Sequence, residues 1–146
     1  TIDVNLKAPA LICKSFIEHK INMKINKKLR IINISSRAAF RGETSDFIPY
    51  AASKGGLISL TKTIAKSFGK DGVLSFSIAP GFVKSSYASE FRYTKPDLYK
   101  WTIEQTPMGR WGSCDEIADV SIFLVSEINS YMTGSVIYCD GGWSAK

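Results

Sequence analysis

The chain has 146 residues, 45% of them apolar and 22% charged, with a formal net charge of +6. That length suffices to bury one domain's core, and the absence of a long apolar run excludes a bilayer-spanning helix. Cys13, Cys114 and Cys139 lie far apart, with no Cys-x-x-Cys and no adjacent His; this argues against a disulfide framework or a metal site and predicts a reducing, cytoplasmic setting.

Residues 2 to about 25 carry Ile2, Leu6, Leu11, Ile12, Phe16, Ile17 and Ile21 at helical spacing, with Pro9 in the first turns. The chain begins with Thr in a segment already helical, which points to a fragment. Lys20, Lys24, Lys27, Lys28 and Arg30 then crowd one stretch beside His19. No aromatic is interleaved there for base stacking, so the stretch reads as a solvated helix end and loop rather than a nucleic-acid surface. Cys13 and Cys139 fall on apolar patterns and read as small buried hydrophobes.

Leu29 to Ile34 is a continuous β-branched run, the mark of a strand buried on both faces of a parallel sheet. Ser35 to Pro49 is a polar connection. A helix is predicted from about Tyr50 to Phe68, with Leu57, Leu60, Ile64 and Phe68 on one face and a thin first stretch through Ala51, Ala52, Ser53, Gly55 and Gly56. Gly69 and Asp71-Gly72 end it. Val73 to Ala79 is the second strand, closed by Pro80-Gly81.

Residues 82 to 113 read as an irregular polar lid with scattered aromatics, Tyr87 among them. Asp115-Glu116 opens a further helix at its positive end, Tyr131 to Gly134 turns, and Ser135 to Cys139 is the last strand. The order predicts one α/β domain with a small parallel sheet, one of whose edge strands is left uncovered.

The chemistry concentrates between Ser36 and Lys54. Positions i and i+4 share a helix face, so Tyr50 and Lys54 present a phenol and an ammonium together. Ser36 ends a strand, where open α/β sheets place their ligand crevice. These groups suit proton transfer to or from an oxygen. Moving a phenol from its usual pKa of about 10 to about 7 takes ~4 kcal/mol. One ammonium at about 4 Å supplies that much at an effective dielectric near 20.

In order along the chain, Val4-Asn5-Leu6, Ile32-Asn33-Ile34-Ser35-Ser36, Tyr50-Ala51-Ala52-Ser53-Lys54-Gly55, Ile78-Ala79-Pro80-Gly81-Phe82-Val83, Pro107 to Gly112 and Gly134-Ser135 … Asp140-Gly141-Gly142 form a recognisable series. With them the chain resembles the C-terminal half of a short-chain dehydrogenase/reductase of the single-domain branch that includes 3-oxoacyl-carrier-protein reductases. The resemblance implies the C-terminal part of a doubly wound, Rossmann-like sheet, with the N-terminal βαβ nucleotide-binding half missing. It also implies NAD or NADP as cofactor and a carbonyl or alcohol as small-molecule substrate. Tyr50 falls on the family's catalytic Tyr, Lys54 on its Lys, Ser36 on the Ser that orients the carbonyl, and Asn5 on the Asn that holds a relay water. Tyr50, Lys54, Pro80, Gly81, Val83 and Ser85 fall on cofactor-contacting positions, Ser85 where the family more often has Thr. Homodimer or homotetramer assembly is implied too, and no nucleic acid or membrane.

No Gly-rich phosphate turn occurs in these residues. Two readings follow, a working oxidoreductase seen in part or a truncated, non-catalytic relative serving as an assembly module. A basic nucleic-acid-binding domain has only charge behind it. Arg37 and Arg41 near the crevice could receive an anionic substrate group, but read rather as solvated loop charges.

Overall fold

A computed structural model of the chain describes residues 1–85 and 90–145. Three strands, β1 (Leu29–Ile34), β2 (Val73–Pro80) and β5 (Val136–Cys139), form a parallel sheet in the order β1-β2-β5. Leu29 pairs with Val73 and Ile34 with Ile78, while Ser77 to Pro80 pair with Val136 to Cys139. This is the Rossmann-like parallel α/β arrangement expected from the strand–helix alternation. Among the described residues β1 has a strand partner on one side only, so its outer edge is open.

Side-chain alternation along the strands divides the core into two layers. On one face Val73, Leu29 and Ile31 meet Cys13 and Ile17 of α1 (Ala8–Asn22) and Leu60, Ile64 and Phe68 of α3 (Ile48–Phe68). On the other, Leu74, Phe76 and Ile78 meet Ile117, Val120 and Leu124 of α6 (Cys114–Val125). β2 is central and Phe76 and Ile78 are fully buried, each side chain contributing ~1.5–3 kcal/mol.

The first helix differs from its prediction at both ends. Residues Asp3–Lys7 form a π-helical turn, with Ala8 N–H donating to the carbonyl of Asp3. Pro9 lacks the N–H that would continue an i→i−4 ladder there, and wider π turns recur at functional positions. Leu6 from this turn fits against Gly56, where an added Cβ would lie 2.6 Å from a Leu6 methyl; the thin start of α3 admits a neighbouring helix. The helix stops at Asn22, and Lys24 takes a positive φ of 50° in the turn that follows.

The basic stretch is less solvated than expected. Lys20 is buried and its ammonium donates to the Ile25 carbonyl. Arg30 pairs with Glu127 at 2.8 Å, its own side chain 8% exposed. Cys13 is buried as expected, and Cys139 is half-buried at the edge of the second core layer.

The segment after β2 is more ordered than an irregular lid. β3 (Val83–Lys84) pairs in parallel with β4 (Gly112–Ser113), and among the described residues two short helices, α4 (Phe91–Thr94) and α5 (Pro96–Gln105), lie between them. Tyr87 falls outside the described residues. Ser113 caps α6 with a complete capping box, its hydroxyl accepting from Glu116 N–H while the Glu116 carboxylate accepts from Ser113 N–H. The Ser-x-x-Glu spacing announces this box, beyond the two acids noted at the helix start. Among the described residues no helix is long and apolar enough to cross a membrane.

Candidate active site

Ser35 and Ser36 leave the carboxyl end of β1, and α2 (Ala38–Arg41) follows at once. Ser36 Oγ accepts from the Ala38 N–H at 3.2 Å, so its hydroxyl oxygen is oriented by that helix's first turn. Pro49 sits in the first turn of α3, with its fixed φ and missing N–H both suited to a helix start. Tyr50 follows in the same turn and Lys54 one turn later, beside the strand end.

Lys54 is tied from both ends. Its backbone carbonyl accepts from Ser35 Oγ at 2.8 Å, and its ammonium donates to the Ile34 carbonyl at 2.8 Å. The ammonium lies 5.6 Å from the centre of the Tyr50 ring, within cation–π reach. Partial burial pushes the Lys54 ammonium below its ordinary value. The carbonyl of Tyr50 accepts from Ser53 Oγ at 2.6 Å, and Ser53 is fully buried against the sheet. These short directional contacts hold the first turns of α3 in one position.

Ser36, Tyr50, Lys54, Pro80, Gly81, Val83 and Ser85 line one cavity of about 840 Å³ at the carboxyl end of the sheet. Phe47, Phe82, Phe91, Trp111, Glu90, Lys95 and Cys114 complete its walls. Asn5 is not among them. It lines a second groove of about 570 Å³ along the open edge of β1, together with Lys54 and Ile34, which belong to both cavities. The structure thus brings seven of the eight candidate residues into one crevice and places Asn5 in the adjoining groove, with Lys54 between the two.

Gly81 is required by close approach. A Cβ there would lie 2.8 Å from Asp140 Cα and 2.9 Å from its Cβ, so the Asp140-Gly141-Gly142 turn packs directly on the Pro80-Gly81 backbone. Asp140 shapes that turn by accepting from Gly142 N–H and Ser144 N–H at 3.0 and 2.9 Å.

Composition and spacing did not single out the aromatic wall. Trp111 is buried, stacks on Phe82 at 5.3 Å, meets Phe91 and Tyr99, and donates from Nε1 to Thr102 Oγ1 at 2.8 Å. The density of Phe, Tyr and Trp between residues 82 and 111 was the available signal. Arg37 is not a solvated charge, whereas Arg41 is exposed as expected but has a backbone partner. Arg37 pairs with Glu43 at 2.7 Å with its side chain 15% exposed, and Arg41 donates to the Trp143 carbonyl at 3.1 Å.

A partly buried hydroxyl, phenol and ammonium around one crevice can bind a polar oxygen and move a proton to it. The donor set also suits a dinucleotide: Tyr50, Lys54 and Ser85 offer hydroxyl and ammonium donors beside the backbone of Pro80 and Gly81, at the strand ends where such sheets take nucleotides.

A profile of the family described as enoyl-(acyl carrier protein) reductase matches residues 1–144. The 3-oxoacyl-[acyl-carrier-protein] reductase of Aquifex aeolicus is 37% identical over 141 residues, covering 97% of this chain and 54% of that protein. The structure of a 4-hydroxyisoleucine dehydrogenase mutant complexed with NADH and succinate aligns with a TM-score of 0.92 at 31% identity, over 99% of this chain and 58% of the other. A gluconate 5-dehydrogenase from Burkholderia cenocepacia, solved with NADP and tartrate, aligns at 0.89 and 28% identity, over 99% and 55%. The chain spans about half the length of the relatives it matches.

Proposed function

The chain belongs to the short-chain dehydrogenase/reductases, in the family that the enoyl-(acyl carrier protein) reductase profile describes, and on that premise we propose that it carries the acid–base half of an NAD(P)-dependent site interconverting a carbonyl and an alcohol. When bound, the nicotinamide supplies the hydride. Tyr50 gives its phenolic proton to the carbonyl oxygen during reduction and takes it back during oxidation. Ser36 holds that oxygen by a hydrogen bond from its hydroxyl, whose oxygen Ala38 N–H already fixes. Lys54 supports a developing phenolate with its positive charge and offers donors to the cofactor's ribose. Pro80, Gly81, Val83 and Ser85 form the backbone and hydroxyl contacts on the nicotinamide side. Asn5 holds a water behind Lys54, on the groove the two share.

The observation that carries this reading is the convergence of Ser36, Tyr50 and Lys54 on one cavity, with Lys54 anchored and half-buried. A 3-oxoacyl thioester is the first substrate class to test, in view of the Aquifex relative; sugar acids come next, from the Burkholderia one. The named relatives are reductases and dehydrogenases, so a non-catalytic assembly role is not favoured. Self-association into a dimer or tetramer belongs to the same proposal, with Leu11, Ile12 and Phe16 exposed along α1.

The experiment follows nicotinamide absorbance with both cofactors and both substrate classes. Turnover that falls about 10²–10⁴-fold in Tyr50→Phe is the expected result. Retained turnover in that variant, or no nicotinamide binding by calorimetry, overturns the reading for this chain.

A further inference from the structure

Arg37 follows the crevice Ser directly but does not line the crevice. Its backbone N–H donates to the Pro80 carbonyl at 3.2 Å, and the residue caps α2, the helix whose Ala38 N–H holds Ser36 Oγ. Its guanidinium lies 4.7 Å from the centre of the Phe82 ring and 4.8 Å from that of Trp143. Both rings are close enough to engage the cation, and the Glu43 carboxylate takes an N–H at 2.7 Å. A guanidinium so committed is not available to a substrate anion.

The second ring comes from the far end of the sequence. Trp143 is 6% exposed, meets Phe82 and Trp101 at 5.3 and 5.7 Å, and its carbonyl is held by Arg41. Its turn is folded by Asp140, rests on Gly81, and receives Met108 N–H at the Gly141 carbonyl. Arg37 before α2 and Arg41 at its end therefore grip one tryptophan, by its ring and by its carbonyl. The turn joins the Ser36 loop, the Pro80–Phe82 segment and the lid.

We infer that the turn at residues 140–145 is a latch that positions the Ser36 loop, with Arg37 and Trp143 as its two positioning residues. Lys at position 37 keeps the charge but lacks the flat, delocalised surface that two rings can cover. The inference rests on the proposed reading only for its effect on turnover; the geometric coupling stands apart from it.

The test compares Arg37→Ala, Arg37→Lys, Trp143→Ala and Trp143→Phe in the whole chain. In amide NMR spectra, Trp143→Ala and Arg37→Lys shift the signals of Ser36 and Ala38 and leave that of Ile64 in place, while Trp143→Phe restores most of the difference. In turnover, kcat falls about tenfold in Trp143→Ala with KM for nicotinamide within twofold, and Trp143→Phe recovers it; misplacement well under 1 Å is enough for such a loss. Unmoved Ser36 and Ala38 amides in Arg37→Lys, which keeps the charge, overturn the latch. So does a Trp143→Ala protein with wild-type kcat. If the wild-type chain shows no nicotinamide-dependent turnover, the functional reading falls and the amide shifts alone decide the latch.

Discussion

On the helix side of the crevice, Ser36, Tyr50 and Lys54 are held by short hydrogen bonds to backbone groups, through Ala38, Ser53, Ile34 and Ser35. On the side formed by residues 82–113, Trp111 and its partners Phe82, Phe91 and Tyr99 are held by ring contacts at 4.8 to 5.8 Å and one indole hydrogen bond. Hydrogen bonds fix direction to within tens of degrees; aromatic contacts are broad in geometry and draw their strength from buried area. On the proposed reading, the groups that meet a reacting oxygen are on the directional wall, and the wall left to the rest of a substrate is the one whose shape can change with few substitutions.

The largest test of that contrast is Trp111→Ala. Removing a buried ring that anchors three others lowers the unfolding free energy by about 3–5 kcal/mol in urea melts; a loss below about 1 kcal/mol would mean the stack does not hold the lid. Between α3 and β1, beneath the directional wall, Thr61→Val strands the buried Asn33 amide, which now donates to Thr61 Oγ1 at 2.9 Å. The expected loss is about 1–3 kcal/mol, measured the same way, and an unchanged melt would show that the polar seam between α3 and the sheet is dispensable.

A smaller effect on global stability belongs to the exposed Arg110–Glu116 pair at the foot of the lid. Two guanidinium contacts at 2.7 and 2.9 Å, then the Ser113 N–H, hold the Glu116 carboxyl down to about 2. A carboxyl lowered by folding contributes stability above its ordinary value of 4.5, and that contribution is lost as pH falls through about 2. An NMR titration should give the low midpoint in the wild type and a return toward 4.5 in Arg110→Gln; an unchanged midpoint would remove Arg110 as the main cause. The smallest effect is expected for Ser77→Ala. Ser77 Oγ is buried on the α3 face of β2 without a hydrogen-bond partner among the described residues. Stability stays level or rises by up to about 1 kcal/mol, and a clear loss would show that the hydroxyl is satisfied.

Much of this molecule is legible along the chain. β1 and α6 begin where their patterns place them, and α3 starts two residues before Tyr50, because β-branched runs, a Pro at a helix start and acids at a positive end act over a few residues. Tyr50 and Lys54 share a face by helical spacing alone. The lid helices were missed because α4 has 4 residues and α5 has 10, too few for periodicity to show against scattered aromatics. The solvated reading failed for Lys20, Arg30 and Arg37 because their partners, Ile25, Glu127 and Phe82 with Trp143, include contacts up to about a hundred residues away.

Local chemistry in the sequence thus determined the parallel α/β order, the pairing of phenol and ammonium on one helix and the strand-end serine beside them. Tertiary structure alone decided that Asn5 faces a separate groove, that Gly81 must leave room for Asp140, and that Trp143 closes over Arg37. Spacing encodes neighbours one turn or one strand apart. Which distant surfaces meet depends on how the layers stack once both faces of the sheet are buried, and no single stretch of sequence contains that information.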